Sequence, residues 1–262
     1  MRVGVTLSPT GDWNAILSAA RLADQAGLDT VGFWDHYHSE KPEWAYVCGW
    51  SAYGALAAAT TRIRLLPMVI CRLNYTTGVL AKETSVLSIA SGGRFELGIG
   101  AGDYPVEYTA WHQPFPDATT RIEALAETIA ALREVWQGRL VTYSGQHIQL
   151  TDAACTPAPP IPPRVVVGVG GSRRLIRSAV NYADELNIYN DEALLTYTQA
   201  AITEAGRSID VSVFLHWHEW PQNLHDELAR WAERGVARAV VNIGYDADLS
   251  QRMTELAEAW LR

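Results

Sequence analysis

Lysine is nearly missing from this 262-residue chain. Only Lys41 and Lys82 occur among 21 basic residues, and 29 acidic residues leave a formal net charge of −8. An acidic chain with no basic stripe is a poor match for a nucleic-acid binder. The arginine bias, with abundant alanine, reflects a GC-rich coding sequence rather than a mechanism. No run of apolar residues reaches the length needed to cross a bilayer. The opening "MRVGVTLSP" reads as a strand from residue 2, without the apolar stretch and cleavage site of a secretory signal. Cysteine is scarce too. Cys48, Cys71 and Cys155 are odd in number and widely spaced, which argues against a disulfide framework and against a zinc site. No repeat at solenoid period is present. A cytoplasmic protein with no membrane, nucleic-acid or metal partner is expected.

What is present is a regular alternation. With 48% hydrophobic residues, the chain can bury a full core. Strands are predicted over 2–7, 30–35, 62–70, 94–100, 165–171, 185–189, 211–217 and 237–244. Helices are predicted over 12–27, 51–60, 77–91, 121–136, 173–182, 193–205, 224–234 and 248–260. Asp12 is placed to cap the first helix and Gly27 to end it. The clearest helix is "RIEALAETIAALREVW" (121–136), whose apolar residues keep helical spacing. A small hairpin is expected over 140–150, turning at Ser144-Gly145. The proline-rich "TPAPPIPPR" (156–164) reads as a surface lead-in, and the stretch after Gly102 as irregular, held so by Pro105, Pro114 and Pro116. Eight strand–helix units in a chain of this length predict an α/β fold, a closed (β/α)8 TIM barrel in one domain over 1–262. An open doubly wound sheet would more often use five or six units.

In such a barrel the chemistry sits where strands end. "RFELGIGAGD" (94–103) resembles a dinucleotide fingerprint but has Asp103 where the third glycine belongs, and it follows the fourth strand with no prompt helix. Gly98 reads as room inside a crowded barrel; Gly102 and Asp103 read as ligand-facing. Asp35 and His36, in "WDHYH" (34–38), pair a carboxylate with an imidazole that titrates near neutral pH. "GVGGSRR" (168–174) offers backbone N–H groups and arginines to an anion. His216 and His218 share one strand face, but no third ligand makes a metal site. Trp34, Trp44, Trp50, Tyr104, Trp111 and Trp217 are candidates for an aromatic pocket wall.

Five segments together resemble the bacterial luciferase-like monooxygenase family, in its branch that uses the deazaflavin coenzyme F420. They are "AGLDTVGFWDHY" (26–37), "ALAAATTRIRLLPMVI" (55–70), "LAKETSVLSIASGGRFELGIGAG" (80–102), "PFP" (114–116) and "VGVGGSRRLIRSAVNYADELN" (167–187). The resemblance implies the same barrel. It implies a bulge with a cis non-proline peptide behind the deazaflavin ring, at Met68-Val69 or one bond later, at Ile70. It implies Asp35 and His36 beside the ring, Ala101, Gly102 and Asp103 along it, and Gly168, Gly170, Gly171, Ser172 and Arg173 around its phosphate. His36 is then the first choice, and Asp103 the second, for the proton-handling group in hydride transfer with a small organic substrate. Arg72, Arg173, Arg174 and Arg177 are placed for the cofactor's acidic tail. FMN, with oxygen chemistry, is the alternative cofactor; binding of the cofactor without catalysis is the alternative role. Relatives are often dimers. The chain departs from relatives in carrying Asp103 for a glutamate, "NYTT" (74–77) after the third strand, and only "HEWPQNL" (218–224) where they carry a long insertion.

Overall fold

The computed structural model describes residues 1–7, 11–41, 46–216, 224–244 and 249–261. Among the described residues, nine parallel strands form one sheet in the order β3-β2-β1-β11-β10-β9-β8-β5-β4. They are β1 (Arg2–Thr6), β2 (Thr30–Gly32), β3 (Arg64–Leu65), β4 (Ile70–Cys71), β5 (Leu97–Gly100), β8 (Val165–Gly170), β9 (Glu185–Tyr189), β10 (Asp210–His216) and β11 (Arg238–Asn242). The two ends of that order, β3 and β4, are pieces of one stretch of chain. Leu65 also bridges in parallel to Phe95, just ahead of β5. The curled sheet therefore closes on itself through the third strand position, and the fold is the predicted (β/α)8 barrel. Helices α1 (Trp13–Gln25), α2 (Trp50–Ala59), α3 (Thr77–Ala90), α5 (Ala118–Val135), α6 (Arg173–Ala179), α7 (Glu192–Glu204), α8 (Leu224–Glu233) and α9 (Leu249–Leu261) follow the strands. Asp12 caps α1 by accepting from the N–H groups of Asn14 and Ala15, and Gly27 ends it at a φ of +76°.

Two predicted elements differ. The strand expected over 62–70 is two short pieces, because the backbone leaves the ladder between them and carries a cis peptide at Met68-Val69. Gly32 and Gly98 make this possible. A Cβ on Gly32 would lie 1.7 Å from the Leu66 carbonyl oxygen, and one on Gly98 would lie 1.7 Å from that of Pro67. The stretch after Gly102 is not irregular throughout, since α4 (Pro105–Ala110) forms there. Proline at the first helical position has no N–H to lose and a φ already suited to a helix. The proline-rich connection runs over the surface, as expected, and is tied to α3, where Ser85 and Ser88 donate to the carbonyls of Pro157 and Ile161, at 2.6 and 2.8 Å. The hairpin, β6 (Val141–Ser144) and β7 (Gln149–Ala153), lies against α5, where Glu127 accepts from the N–H groups of Gln146, His147 and Ile148.

Alternation along each strand divides the core in two. Val3, Val5 and Leu7 face the helices in the large outer core. Residues of the other parity face inward, where Leu66, Met68, Val166 and Val240 form a small inner core with Val69 and Phe214 against it. Below that layer each of the eight strand positions contributes one charged residue at or just before its start: Arg2, Asp29, Arg64, Glu96, Arg164, Glu185, Asp210 and Arg238. Four guanidinium groups meet four carboxylates. Arg238, fully buried, reaches Glu185 at 2.6 Å, Glu96 at 2.7 Å and Asp29 at 3.2 Å. Arg164 reaches Asp210 at 2.6 Å, and Arg2 reaches it at 2.9 Å. Burial alone would push the Glu185 carboxyl up, but the Arg238 charge holds it below the usual range. This neutral ring closes the floor of the barrel.

Candidate functional site

At the opposite mouth, the segment after β2 carries Asp35 and His36. Asp35 is buried. It accepts from the Tyr75 hydroxyl at 3.0 Å and from the Asn74 amide at 3.3 Å. Burial nevertheless pushes its carboxyl above the usual range. His36 is partly exposed, and its Nδ1 lies 3.4 Å from Oε2 of Glu107 on α4. The rings of Tyr104 and Tyr46 stand 5.3 and 5.8 Å from the imidazole. Its Nε2 has no hydrogen-bond partner among the described residues, so it is the nitrogen left for a ligand.

Glu107 was not foreseen. It is 1% exposed. One of its oxygens, Oε1, accepts from the backbone N–H groups of Tyr37 (2.6 Å) and His38 (3.0 Å). The available signal was Pro105: a proline that starts a helix places the residue two positions on in its first turn, where this carboxylate sits. Around this pair Asn74 is the hub. Its side-chain oxygen accepts from the hydroxyls of Tyr37 (3.0 Å) and Tyr108. Two thiols join the network. Cys48 donates to the His36 carbonyl at 2.8 Å, and Cys71 lies 2.9 Å from the Tyr108 hydroxyl. Burial pushes these thiols up to about 12 and about 11. Neither is a thiolate at neutral pH, so nucleophilic thiol chemistry is not what this site offers.

The bulge after β3 meets the exits of β5 and β8. The Val69 side chain fills the space that Cβ atoms on Gly100 and Gly168 would need: a Cβ on Gly100 would lie 2.8 Å from its Cγ2, and one on Gly168 would lie 2.7 Å from its Cγ1. The glycines of "LGIGAG" therefore divide by role. Gly98 and Gly100 make room for the bulge, whereas Gly102, at a φ of +90° at the strand exit, is backed by Cys71 and Leu73, whose Sγ and Cδ1 a Cβ would meet at 3.0 and 3.3 Å. Its carbonyl is held by the Arg121 guanidinium at 3.1 Å. Met68 lies in the inner core; Ile70 and Ala101 lie in the outer core and offer the mouth only backbone.

Asp103 is exposed. Its charge helps burial raise the hydroxyl of Tyr189 at the end of β9. The Tyr189 ring in turn lies against Gly170, where a Cβ would come within 3.1 Å of it. Gly170, Gly171, Asp103 and Tyr189 thus form a second cluster on the mouth. Ser172 caps α6 by accepting from the Leu175 N–H. Arg173 lies over the Tyr197 ring, Arg177 donates to the Tyr197 hydroxyl, and Arg174 donates to Thr119. Arg72 departs from the expected group of four, because it turns onto α5 and donates to Thr128 at 3.0 Å.

Of the aromatic candidates, Trp34 is buried next to Asp35, Tyr104 flanks His36, Trp50 packs with Tyr75 and Phe95 in the outer core, and Trp111 is exposed. Trp44, Trp217 and His218 lie outside the described residues. His216 ends β10, its Nδ1 3.3 Å from the Asn242 amide. Among the described residues no group of three or more His, Cys, Asp or Glu is placed to hold a metal, and no helix is long and apolar enough to cross a membrane.

The sequence profile described as luciferase-like monooxygenase matches residues 1–259. An F420-dependent glucose-6-phosphate dehydrogenase of Microbacterium testaceum is 29% identical over 210 residues, covering 75% of this chain and 61% of that protein. One of the same name from Beutenbergia cavernae is 32% identical over 162 residues, covering 60% and 47%. The match thus spans about half to three fifths of these relatives. Among solved structures, an F420-dependent secondary alcohol dehydrogenase with an F420-acetone adduct superposes with a TM-score of 0.81 at 17% identity over the whole of both chains. The coenzyme F420-dependent tetrahydromethanopterin reductase of Methanopyrus kandleri gives 0.77 at 16% identity over 98% and 97%. At these identities the two structures speak for the fold.

Proposed function

The chain belongs to the luciferase-like monooxygenase family, and from that membership we propose that it is an oxidoreductase that transfers hydride between coenzyme F420 and a small alcohol or its carbonyl. One observation carries this reading. A histidine with an unpartnered ring nitrogen stands at a barrel mouth whose neighbouring strand exits are stripped to glycine. A proton-handling group beside bare backbone suits an enzyme in which a flat cofactor carries the electrons and the protein supplies binding and orientation.

The mouth fits such a group. Gly102 and Gly170 put backbone without a side chain at the exits of β5 and β8, backed by Cys71 and Leu73 at the first and by the Tyr189 ring at the second. Thr6 has a fully buried hydroxyl with no partner among the described residues, at the mouth end of β1 and on its inward parity. That is a buried polar atom which a ligand would satisfy. The residues we assign to holding the cofactor are Asp35, His36, Met68, Val69, Ala101, Gly102 and Asp103 for the ring side, with Gly168, Gly170, Gly171, Ser172 and Arg173 for the phosphate side; Ile70 contributes through its backbone. Bound there, the deazaflavin would supply the hydride-accepting and hydride-donating chemistry for an alcohol and its carbonyl. His36 Nε2 takes the hydroxyl proton or gives it back. Asp103, exposed and acting electrostatically on Tyr189, serves the rim of the site. The names of the curated relatives support F420 over FMN, as do the arginines of α6, which suit an acidic tail.

The test is a titration of the protein with coenzyme F420 and, separately, with FMN, followed by tryptophan quenching at two salt concentrations. Tight binding of F420 that weakens with salt is the expected result; tighter binding of FMN overturns it. Loss of the deazaflavin's visible absorbance with glucose 6-phosphate or with secondary alcohols then reads turnover. His36→Ala is expected to keep cofactor binding and to lose about 10²-fold in turnover, the usual contribution of a general base.

A further inference from the structure

We propose that Glu107 is a positioning residue that fixes the tautomer of His36. The two oxygens of its carboxylate have separate duties. Oε1 is taken by the backbone N–H groups of Tyr37 and His38, at 2.6 and 3.0 Å. Oε2 faces Nδ1 of His36, at 3.4 Å. An ionised carboxylate has no proton to donate, so a neutral imidazole in this place must carry its hydrogen on Nδ1. The lone pair is then on Nε2, the nitrogen without a protein partner among the described residues. The surroundings leave Glu107 no competing cation: its ion-pair partner among the described residues is His36 itself. The groups packed around the pair are the Tyr46 and Tyr104 rings, the Cys48 thiol and the Asp35 carboxyl. Because the carboxylate is 1% exposed and pinned by two backbone donors, it cannot turn away from the ring without leaving those donors unpaired.

The tautomer follows from geometry alone; its consequence for turnover rests on the hydride-transfer reading above. In the oxidising direction the substrate O–H bond breaks and its proton goes to the Nε2 lone pair. The hydride, with its electron pair, leaves the same carbinol carbon for the acceptor named there. A histidine protonated on Nε2 instead has no lone pair facing the substrate and cannot accept that proton.

One isosteric change separates these duties. In Glu107→Gln the amide oxygen takes the Oε1 place, because two N–H groups require an acceptor there. The NH2 group is then left in the Oε2 place, facing Nδ1. An NH2 group only donates, so His36 must accept on Nδ1 and carry its hydrogen on Nε2. The fold of the segment is preserved while the tautomer reverses. The experiment is long-range 1H–15N correlation NMR of 15N-histidine-labelled protein without cofactor, at a pH where the ring is neutral, with the His36 signals identified by their loss in His36→Gln. The expected result is a protonated Nδ1 in the wild type and a protonated Nε2 in Glu107→Gln. A protonated Nε2 in the wild type overturns the inference, as does an unchanged tautomer in a folded Glu107→Gln. The wild-type spectrum decides by itself if the variant does not fold. With cofactor and substrate, Glu107→Gln is expected to lower kcat about 10²-fold or more while KM and F420 affinity stay within about twofold. An unchanged kcat with a reversed tautomer would show that the orientation is idle in catalysis. Failure to bind F420 overturns the functional reading and leaves the spectra to decide the tautomer.

Discussion

Substituting Gly168 by alanine provides a test of how the barrel mouth is built, because the obstacle to a methyl group there is a single side chain. The added Cβ would lie 2.7 Å from Cγ1 of Val69 and 3.4 Å from Cγ2, against a relaxed carbon–carbon contact of about 3.5–4.0 Å. A shortfall near 1 Å on one methyl in a packed interior is expected to cost about 1–3 kcal/mol. Val69→Ala alone removes two methyl groups from a half-buried site and is expected to cost about 1–2 kcal/mol. If the two residues acted independently, the double variant would lose the sum, about 2–5 kcal/mol. The structure makes them exclusive occupants of one space, so the double variant is expected to recover about 1–2 kcal/mol of that sum. Urea unfolding followed by tryptophan fluorescence measures all three. Gly98→Ala is the control: its Cβ would lie 1.7 Å from a backbone oxygen, that of Pro67, and Val69→Ala is expected to give it no relief. Additivity within about 0.5 kcal/mol at Gly168, or equal relief at Gly98, would refute the packing argument.

Two further outcomes follow from the buried charges. Arg238→Met removes the fully buried cation that three carboxylates share, leaving Asp29 and Glu96 with Arg64 and Glu185 with Arg2 and Arg164, and is expected to cost about 3–5 kcal/mol, whereas Arg139→Met, which breaks only exposed contacts with Glu134 and Gln137, should cost less than about 1 kcal/mol in the same denaturation assay; equal effects would contradict the burial assignment. Asp24 is held below its ordinary 3.8 because, against burial, it accepts from the N–H groups of Thr61, Ile63 and Arg62. A depressed carboxylate adds stability above its unfolded value and loses it as pH falls through the folded one. Asp24→Asn is therefore expected to be less stable than wild type by about 1–3 kcal/mol at pH 7, with the gap narrowing below about pH 4; a gap constant with pH would count against the reading.

The barrel was legible because its outward parity is uninterrupted: Val3, Val5 and Leu7, or Leu186 and Ile188, alternate with residues of another kind, and the helices between them keep their spacing. The inward parity was harder to read. Arg2, Glu185 and Arg238 look in sequence like solvated strand ends, and only the curled sheet brings the Glu185 carboxylate within 4 Å of both guanidinium groups. The Met68-Val69 bulge came from family resemblance; the run "RIRLLPMVI" by itself reads as one continuous strand. His36 and Asp35 were visible as an adjacent pair. Glu107 was not, because the partner that gives it meaning is about seventy positions away in the chain, and the prolines around it were taken as a sign of irregular backbone. Gly100 and Gly168 were readable as bare backbone, but not as the seat of Val69.

The closed floor of charge has a consequence for traffic. A barrel stoppered at one end is a cul-de-sac, and whatever reaches its middle must return by the way it came. Two guests that share such a doorway cannot pass each other. Where one guest lies beneath the other, the deeper must arrive first and depart last.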